Sequence, residues 1–308
     1  MNVDETARAI TDMSIRGAGR IARAGATALS DFAANYKGND IAKFRKDLAK
    51  ATHTLVASRP TAVSLLNGVQ FTIRDVDSAT TVSDATTSIK NNAGTFISNS
   101  ENAISTIAKI GAKRINDGDT VLTHCNSSAA IGAIIEAHRQ GKKIRAIATE
   151  SRPWRQGILT VNELSRAGVD TTLIIDSAVR FVMKDVDIVM VGADTITAQG
   201  ALVNKIGTSQ VALAAHEACV PFVVCSETYK FSQATLFGDM VPIEERDMRE
   251  IIKDNEISKN VKVFNPVFDT TPANYIDAIV TEEGMIHPAA VFGMMMKQFG
   301  KKLFERTE

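Results

Sequence analysis

Cysteine is scarce. The 308 residues include three, Cys125, Cys219 and Cys225, and an odd, sparse set makes no disulfide framework. No CxxC pair suggests structural zinc. Net charge is missing as well. Thirty-five basic side chains face 35 acidic ones, for a formal charge of zero, which argues against a broad basic face for a nucleic-acid backbone and leaves room for a small local cluster of cations. No apolar run approaches the roughly 18 residues of a membrane span. The opening MNVDETARAI has early acids and no apolar core, unlike a secretory signal, so the reducing cytoplasm is the expected compartment. No GxGxxG follows the first predicted strand, so the chain is not evidently a dinucleotide binder, and no Walker A pattern occurs. Histidines 53, 124, 138, 216 and 287 have no metal-ligand spacing. Internal repeats and low-complexity segments are also absent.

What is present is ordinary for a globular chain: 44% hydrophobic and 23% charged residues, enough core for two domains at roughly 100–200 residues each. Apolar residues at spacings of three and four predict helices over residues 5–34, 41–58, 61–77 and 85–114. Breaks fall at YKGND, SRP and DSATT. After INDGD (115–119) the texture changes to short β-rich runs, each followed by a helical pattern: TVLTHC (120–125), KIRAIATE (143–150), TTLIID (171–176), DIVMVG (187–192) and PFVVCS (221–226), with YIDAIVTE (275–282) as a sixth strand. Helices are expected to begin near Ser128, Thr160, Ser177, Thr208 and Glu244. Near-continuous Val/Ile/Leu strands are buried on both faces, which means a parallel sheet covered by helices. The expected class is α/β: a helical domain, residues 1–115, followed by a doubly wound, mostly parallel Rossmann-like sheet domain, residues 116–308.

In such a sheet, ligands bind beyond the carboxyl ends of the strands. Those ends carry HCNSS, ESRPWRQG, DSAVR, GADTITAQGALVNKIGT and SETYKF. Cys125 stands just before a helix start, where the dipole and free N–H groups favour thiolate; the alternative is a buried structural cysteine. Cys219 and Cys225 read as core. His124 and Cys125 are adjacent on a strand and point to opposite faces, so no Cys–His nucleophilic pair is expected. Asp194, after Gly192 and Ala193, is either a ligand-facing carboxylate or an Asx-turn. Asp176 reads as an N-cap. Asn204 and Lys205, before a Gly-Thr helix start, suit an anion, with a solvated loop as the alternative. Lys230 alone reads as a surface lysine. The glycines of SIRGAGR (14–20) cost roughly 1 kcal/mol each inside a helix, which is explained either by close helix packing or by a break where N–H groups and arginines meet an anion. Arg59, before Pro60, fits a capping or surface role equally well.

Six ordered blocks, THCNSSAAIGAI, TESRPWRQG, VGADTITAQGALVNKIGTSQVALAAHE, SETYKF, NPVFDTTPANYID and the amino-terminal RGAGR with SRPTAVSL, resemble the superfamily of sugar-1-phosphate aldose–ketose isomerases and regulatory subunits of translation initiation factor 2B. The regulatory subunits typically lack both the cysteine and the aspartate that stand here as Cys125 and Asp194. Methylthioribose-1-phosphate isomerases keep both but usually carry RGAPAIG, whereas RGAGRIAR (16–23) resembles the archaeal ribose-1,5-bisphosphate isomerases. That resemblance implies conversion of ribose 1,5-bisphosphate to ribulose 1,5-bisphosphate in nucleoside monophosphate breakdown. It implies Cys125 and Asp194 as the catalytic pair, and substrate contacts from Arg16, Gly17, Arg59, Asn204, Lys205 and Lys230, with Arg20, Arg152 and Gln156 as weaker nominations. It further implies a homo-oligomer, a dimer-based hexamer, with a nucleotide activator as a further partner. The chemistry needs no metal or organic cofactor.

Overall fold

The structure, a computed structural model, describes residues 1–253, 256–258 and 260–300. The first part of the chain is helical: α1 (Val3–Thr11), α2 (Ala18–Asn35), α3 (Ile41–Ser58), α4 (Val63–Ile73) and α5 (Val82–Ala112). Asn2 starts α1 with a capping box, its side chain accepting from the Glu5 N–H while the Glu5 carboxylate accepts from the Asn2 N–H. Asp40 caps α3 by accepting from the Ala42 and Lys43 N–H groups. The apolar stripes meet in one core that includes Ile10, Ile21, Leu29, Phe44, Leu55, Leu65 and Ile89. The single helix expected over residues 5–34 is two helices. The chain breaks at residues 12–17, and Gly17 stands before α2 at φ +91°. The contacts divide the chain into compact units between Asn102 and Ala103, within α5.

The second unit holds α6 (Ser128–Arg139), α7 (Gly157–Arg166), the single turn α8 (Val179–Val182), α9 (Thr208–Glu217) and α10 (Val291–Phe299). Its strands are β1 (Thr120–Thr123), β2 (Arg145–Thr149), β3 (Asp170–Ile174), β4 (Ile188–Val191), β5 (Thr195–Thr197), β6 (Leu202–Lys205), β7 (Phe222–Cys225), β8 (Phe231–Ser232), β9 (Phe268–Thr271), β10 (Ala278–Thr281) and β11 (Gly284–Ile286). Seven of them form one sheet in the order β11-β10-β7-β4-β1-β2-β3, parallel throughout except for β11. Successive side chains of a strand point to opposite faces, and the two faces feed two cores. Leu122, Val189, Val191, Val224 and Ile279 pack with α9 and α10 residues, while Val121, Ile188, Met190, Val223 and Val280 pack with α6 residues. This is the expected doubly wound α/β fold. The order along the sheet reverses between β1 and β4, and such a switch point opens a crevice at the carboxyl ends of the strands.

A second, four-stranded sheet, β8-β5-β6-β9, was not visible as alternation in the sequence. The helix expected near Glu244 is absent from the described residues. That segment is held extended instead, with the Val267 N–H donating to the Glu244 carbonyl and the Arg246 N–H to the Asn265 carbonyl. The Glu244 carboxylate pairs with Arg246 Nε at 2.7 Å. Among the described residues, no helix is long and apolar enough to cross a membrane.

Candidate active site

The switch point lies between the strands that end at HCNSS and GAD. After β1, Cys125 takes a left-handed backbone, φ +67°, which costs a residue with a Cβ about 1–2 kcal/mol. The surroundings hold it there from both sides. Its N–H donates to Ser151 Oγ at 2.8 Å, and its carbonyl accepts from Thr160 Oγ1 at 2.7 Å. Asn126 Nδ2 in turn donates to Thr160 Oγ1 at 3.1 Å. Ser127 caps α6 by accepting from the Ala130 N–H. Gly192, just past β4, lies so close that a Cβ there would sit 2.3 Å from Ser127 Oγ. Only glycine lets the two strand ends approach this far.

Two residues on is Asp194, whose N–H donates to the Val203 carbonyl at 3.0 Å at the start of the β5–β6 hairpin. Asp194 opens the hairpin whose far end is Lys205, and His124 Nε2, beside Cys125, lies 2.9 Å from the carbonyl of Ile206, beside Lys205, so the hairpin and the β1 end meet at one crevice. Burial pushes the thiol up to about 11; Lys205 and the Asn126 N–H pull it down, while Asp194 and Asp176 push it up. The expected thiolate is therefore not the resting form. Desolvation outweighs the helix start, and Ser127 already occupies part of that start.

Asn204 and Lys205 end β6. Asn204 Nδ2 donates to Thr208 Oγ1 at 3.1 Å, which donates to the Lys205 carbonyl at 2.6 Å. Lys205 is 7% exposed, its ammonium 5.2 Å from the centre of the Phe268 ring, and no carboxylate pairs with it among the described residues. The N–H groups after it are not free for a ligand, contrary to the sequence expectation. Asp269 accepts from the Gly207 N–H at 2.7 Å, the Ser209 N–H at 3.1 Å and Ser209 Oγ at 2.8 Å. The start of α9 thus holds an anion from the chain itself, and Lys205 is left as the cation of this segment. Burial raises the Asp269 carboxyl against these three hydrogen bonds.

Lys230 is buried rather than on the surface. Its ammonium pairs with Glu227 at 2.6 Å, and Tyr229 donates to the other Glu227 oxygen at 3.1 Å. Burial alone would raise Glu227, but Lys230 outweighs it and holds the carboxyl below its ordinary range. Gln156 stands before α7 with Oε1 buried and lacking a hydrogen-bond partner among the described residues. Arg152 is exposed and donates to the Ile251 carbonyl at 3.1 Å. Asp176 does not cap its own helical turn. Its carboxylate reaches across to accept from the Ser151 N–H at 2.7 Å and the Arg152 N–H at 2.8 Å, because that neighbouring loop offers two unpaired donors. Cys225 is core, but Cys219 is exposed at the end of α9.

In the helical unit, Arg16, Gly17 and Arg20 are exposed around the start of α2, where no side chain caps the first turn. Arg59 ends α3, and its N–H donates to the Val56 carbonyl. The residues that sequence reasoning missed are the supports: Ser151, Thr160, Asp269 and Glu227. Ser151, Thr160 and Asp269 work across 26, 35 and 62 residues, separations that no local motif encodes, whereas Glu227 serves Lys230 within its own turn.

Comparison with known proteins agrees with this architecture. The model of the initiation factor 2 subunit family matches residues 14–288. The chain is 51% identical over 304 residues to a ribose 1,5-bisphosphate isomerase of Archaeoglobus fulgidus, covering 99% of this chain and 96% of that one. It is 38% identical over 298 residues to a methylthioribose-1-phosphate isomerase of Heliobacterium modesticaldum, covering 91% and 86%. The crystal structure of a translation initiation factor eIF-2B from Pyrococcus horikoshii superposes with a TM-score of 0.81 at 33% identity, covering 93% of this chain and 97% of that chain. With the match running over most of its length, the chain belongs to the initiation factor 2 subunit family.

Proposed function

We propose that the chain is an aldose–ketose isomerase that converts ribose 1,5-bisphosphate to ribulose 1,5-bisphosphate, with residues 116–308 as its catalytic domain. The observation that carries this reading is the convergence of the Cys125 loop after β1 with the Asp194–Lys205 hairpin after β4 at the switch point. The identity to the A. fulgidus enzyme, higher than that to the methylthioribose-1-phosphate isomerase, supports the substrate.

The reaction moves one hydrogen from C2 to C1 and another from the 2-hydroxyl to the ring oxygen. The C1–O4 bond breaks and a C2 ketone forms. Cys125 as thiolate takes the C2 proton and returns it to C1. Asp194 as the acid protonates the ring oxygen, then takes the 2-hydroxyl proton, so both groups end as they began. In the resting site the thiol holds its proton, because burial outweighs the pull of Lys205, and it must give that proton up before it can take one from C2. The charge of Lys205 pulls the thiol down, and its main part is to hold a phosphate of the substrate.

A bisphosphate carries close to four negative charges. Lys205 supplies a local cation, Lys230 offers a phosphate the hydrogens that its pairing with Glu227 leaves over, Asn204 meets a sugar hydroxyl, and the bare Gln156 Oε1 accepts from another. The proposal extends to Arg16, Gly17, Arg20, Arg59 and Arg152 as phosphate contacts, to a homo-oligomer and to a cytoplasmic setting. Purified protein assayed with ribose 1,5-bisphosphate and with methylthioribose 1-phosphate tests the reading. Turnover of the bisphosphate is expected, and equal or better turnover of the thiosugar overturns the substrate assignment.

A further inference from the structure

His124 is not used in the reaction above, yet it is 1% exposed and both ring nitrogens are engaged. Nε2 lies 2.9 Å from the Ile206 carbonyl. A carbonyl only accepts, so Nε2 carries the hydrogen. Burial lowers the imidazole's proton affinity, so the ring is neutral and Nδ1 is an acceptor. Thr149 Oγ1, 2.6 Å away, therefore donates to it. Thr149 has then given up its only hydrogen, so the contact of 3.2 Å between Thr149 Oγ1 and Ser151 Oγ runs from Ser151. Ser151 in turn accepts the Cys125 N–H. The result is a chain with one direction, from the Cys125 N–H through Ser151 and Thr149 to His124, while the other side of the ring grips the carbonyl between Lys205 and Gly207. The Cε1–Nε2 edge of the ring lies against Gly207, where a Cβ would come within 3.1 Å of Cε1.

We propose that His124 is a positioning residue for the isomerase: a neutral imidazole that ties the loop carrying Cys125 to the loop carrying Lys205, setting thiol and phosphate-binding cation at a fixed separation. This rests on the functional reading above. The chain ends on the Cys125 backbone and not on sulfur, so it moves no proton to the thiol and acts only by placement.

The two halves of the clamp are separable. In His124→Asn the amide oxygen falls near Nδ1, keeping the acceptor for Thr149 and losing the bond to Ile206. In His124→Gln the amide nitrogen falls near Nε2, keeping Ile206 and losing Thr149. The expected result is a split: the Asn variant raises KM with kcat largely kept, whereas the Gln variant and Thr149→Val lower kcat, on the order of 10- to 10²-fold for a misplaced reacting group. A purely structural histidine would lower thermal stability in both variants without such a split. Alkylation of Cys125 by a small thiol reagent, followed by peptide mass spectrometry, reads placement without any turnover. Thr149→Val and His124→Gln are expected to change its rate at least several-fold while the core Cys225 stays protected. An unchanged Cys125 rate in both, with Cys225 protected, overturns the clamp. Wild-type protein inactive on ribose 1,5-bisphosphate, but with the altered alkylation in the variants, overturns the functional reading and leaves the clamp standing.

Discussion

Lys205 is a buried ammonium packed on Phe268 with no carboxylate beside it among the described residues, and Lys205→Met separates what that charge does for folding from what it does for function. An unpaired buried cation opposes folding by several kcal/mol, and the ring face returns only about 1–2 kcal/mol. Methionine keeps the length and the contact with Phe268 while removing the charge. The empty variant should therefore be more stable by about 1–3 kcal/mol, which at roughly 2 °C per kcal/mol for a chain of this size is a rise of several degrees in Tm. Binding moves the other way. A charge-assisted contact to phosphate contributes about 1.5–3 kcal/mol, so affinity for ribulose 1,5-bisphosphate should fall roughly 10- to 150-fold. Thermal scans with and without that ligand, together with titration calorimetry, measure both. The wild type should gain stability from the ligand and the variant should gain little at the same concentration. A variant that is less stable than wild type yet binds as tightly would refute the reasoning, because it would make Lys205 a structural cation rather than one held in reserve for an anion.

Cys125→Ser and Asp194→Asn should each lower turnover by on the order of 10²–10⁴, as expected for loss of an acid or base, with circular dichroism unchanged; near-wild-type rates in either variant remove the role assignment. Asp269→Ala should cost about 1–3 kcal/mol by baring the N–H groups that begin α9, and sulfate should restore part of that stability in the variant but not in wild type when denaturation is compared at matched ionic strength. The buried Cys225 thiol is pushed from 9.0 up to about 12 by burial. Its unfolded form thus loses a proton first, and its contribution to stability, full below pH 9, declines from there and is lost through about 12. Denaturation midpoints across that window should fall less steeply in Cys225→Ala, and parallel slopes would contradict the assignment.

The parts of this fold that were legible were those with local causes. TVLTHC, DIVMVG and PFVVCS read as buried strands because their apolar side chains face cores on both sides of the sheet, and the loops after them read as ligand-facing because ends of parallel strands are polar. The hairpin β5–β6 was hidden because TIT is three residues long and is followed by Ala, Gln and Gly. The helix predicted over residues 5–34 fails over residues 12–17, a break that the glycines of SIRGAGR leave open as one reading but that the apolar spacing does not show. Asp176 was misread as a cap because its carboxylate serves Ser151 and Arg152, 25 and 24 residues away. Asp269 sits 62 residues from Gly207, and His124 reaches a carbonyl 82 residues distant. Such partnerships are set by which strand ends the topology makes neighbours, and spacing along the chain says nothing of them.

The small sheet has a consequence for how this scaffold diversifies. Asp194 borders the ribbon of β5 and β6 and Lys205 ends it, and the ribbon's ladder partners, β8 and β9, belong to the small sheet rather than to the seven-stranded one. A graft of residues 194–205 would exchange the Asp194 carboxylate and the Lys205 ammonium together as a cassette, while the Cys125 sulfur stays beyond the end of β1. Changes of reach to a longer or shorter phosphorylated sugar can then arise in the ribbon's tip, Ala198–Ala201, without re-registering a single rung of the larger sheet.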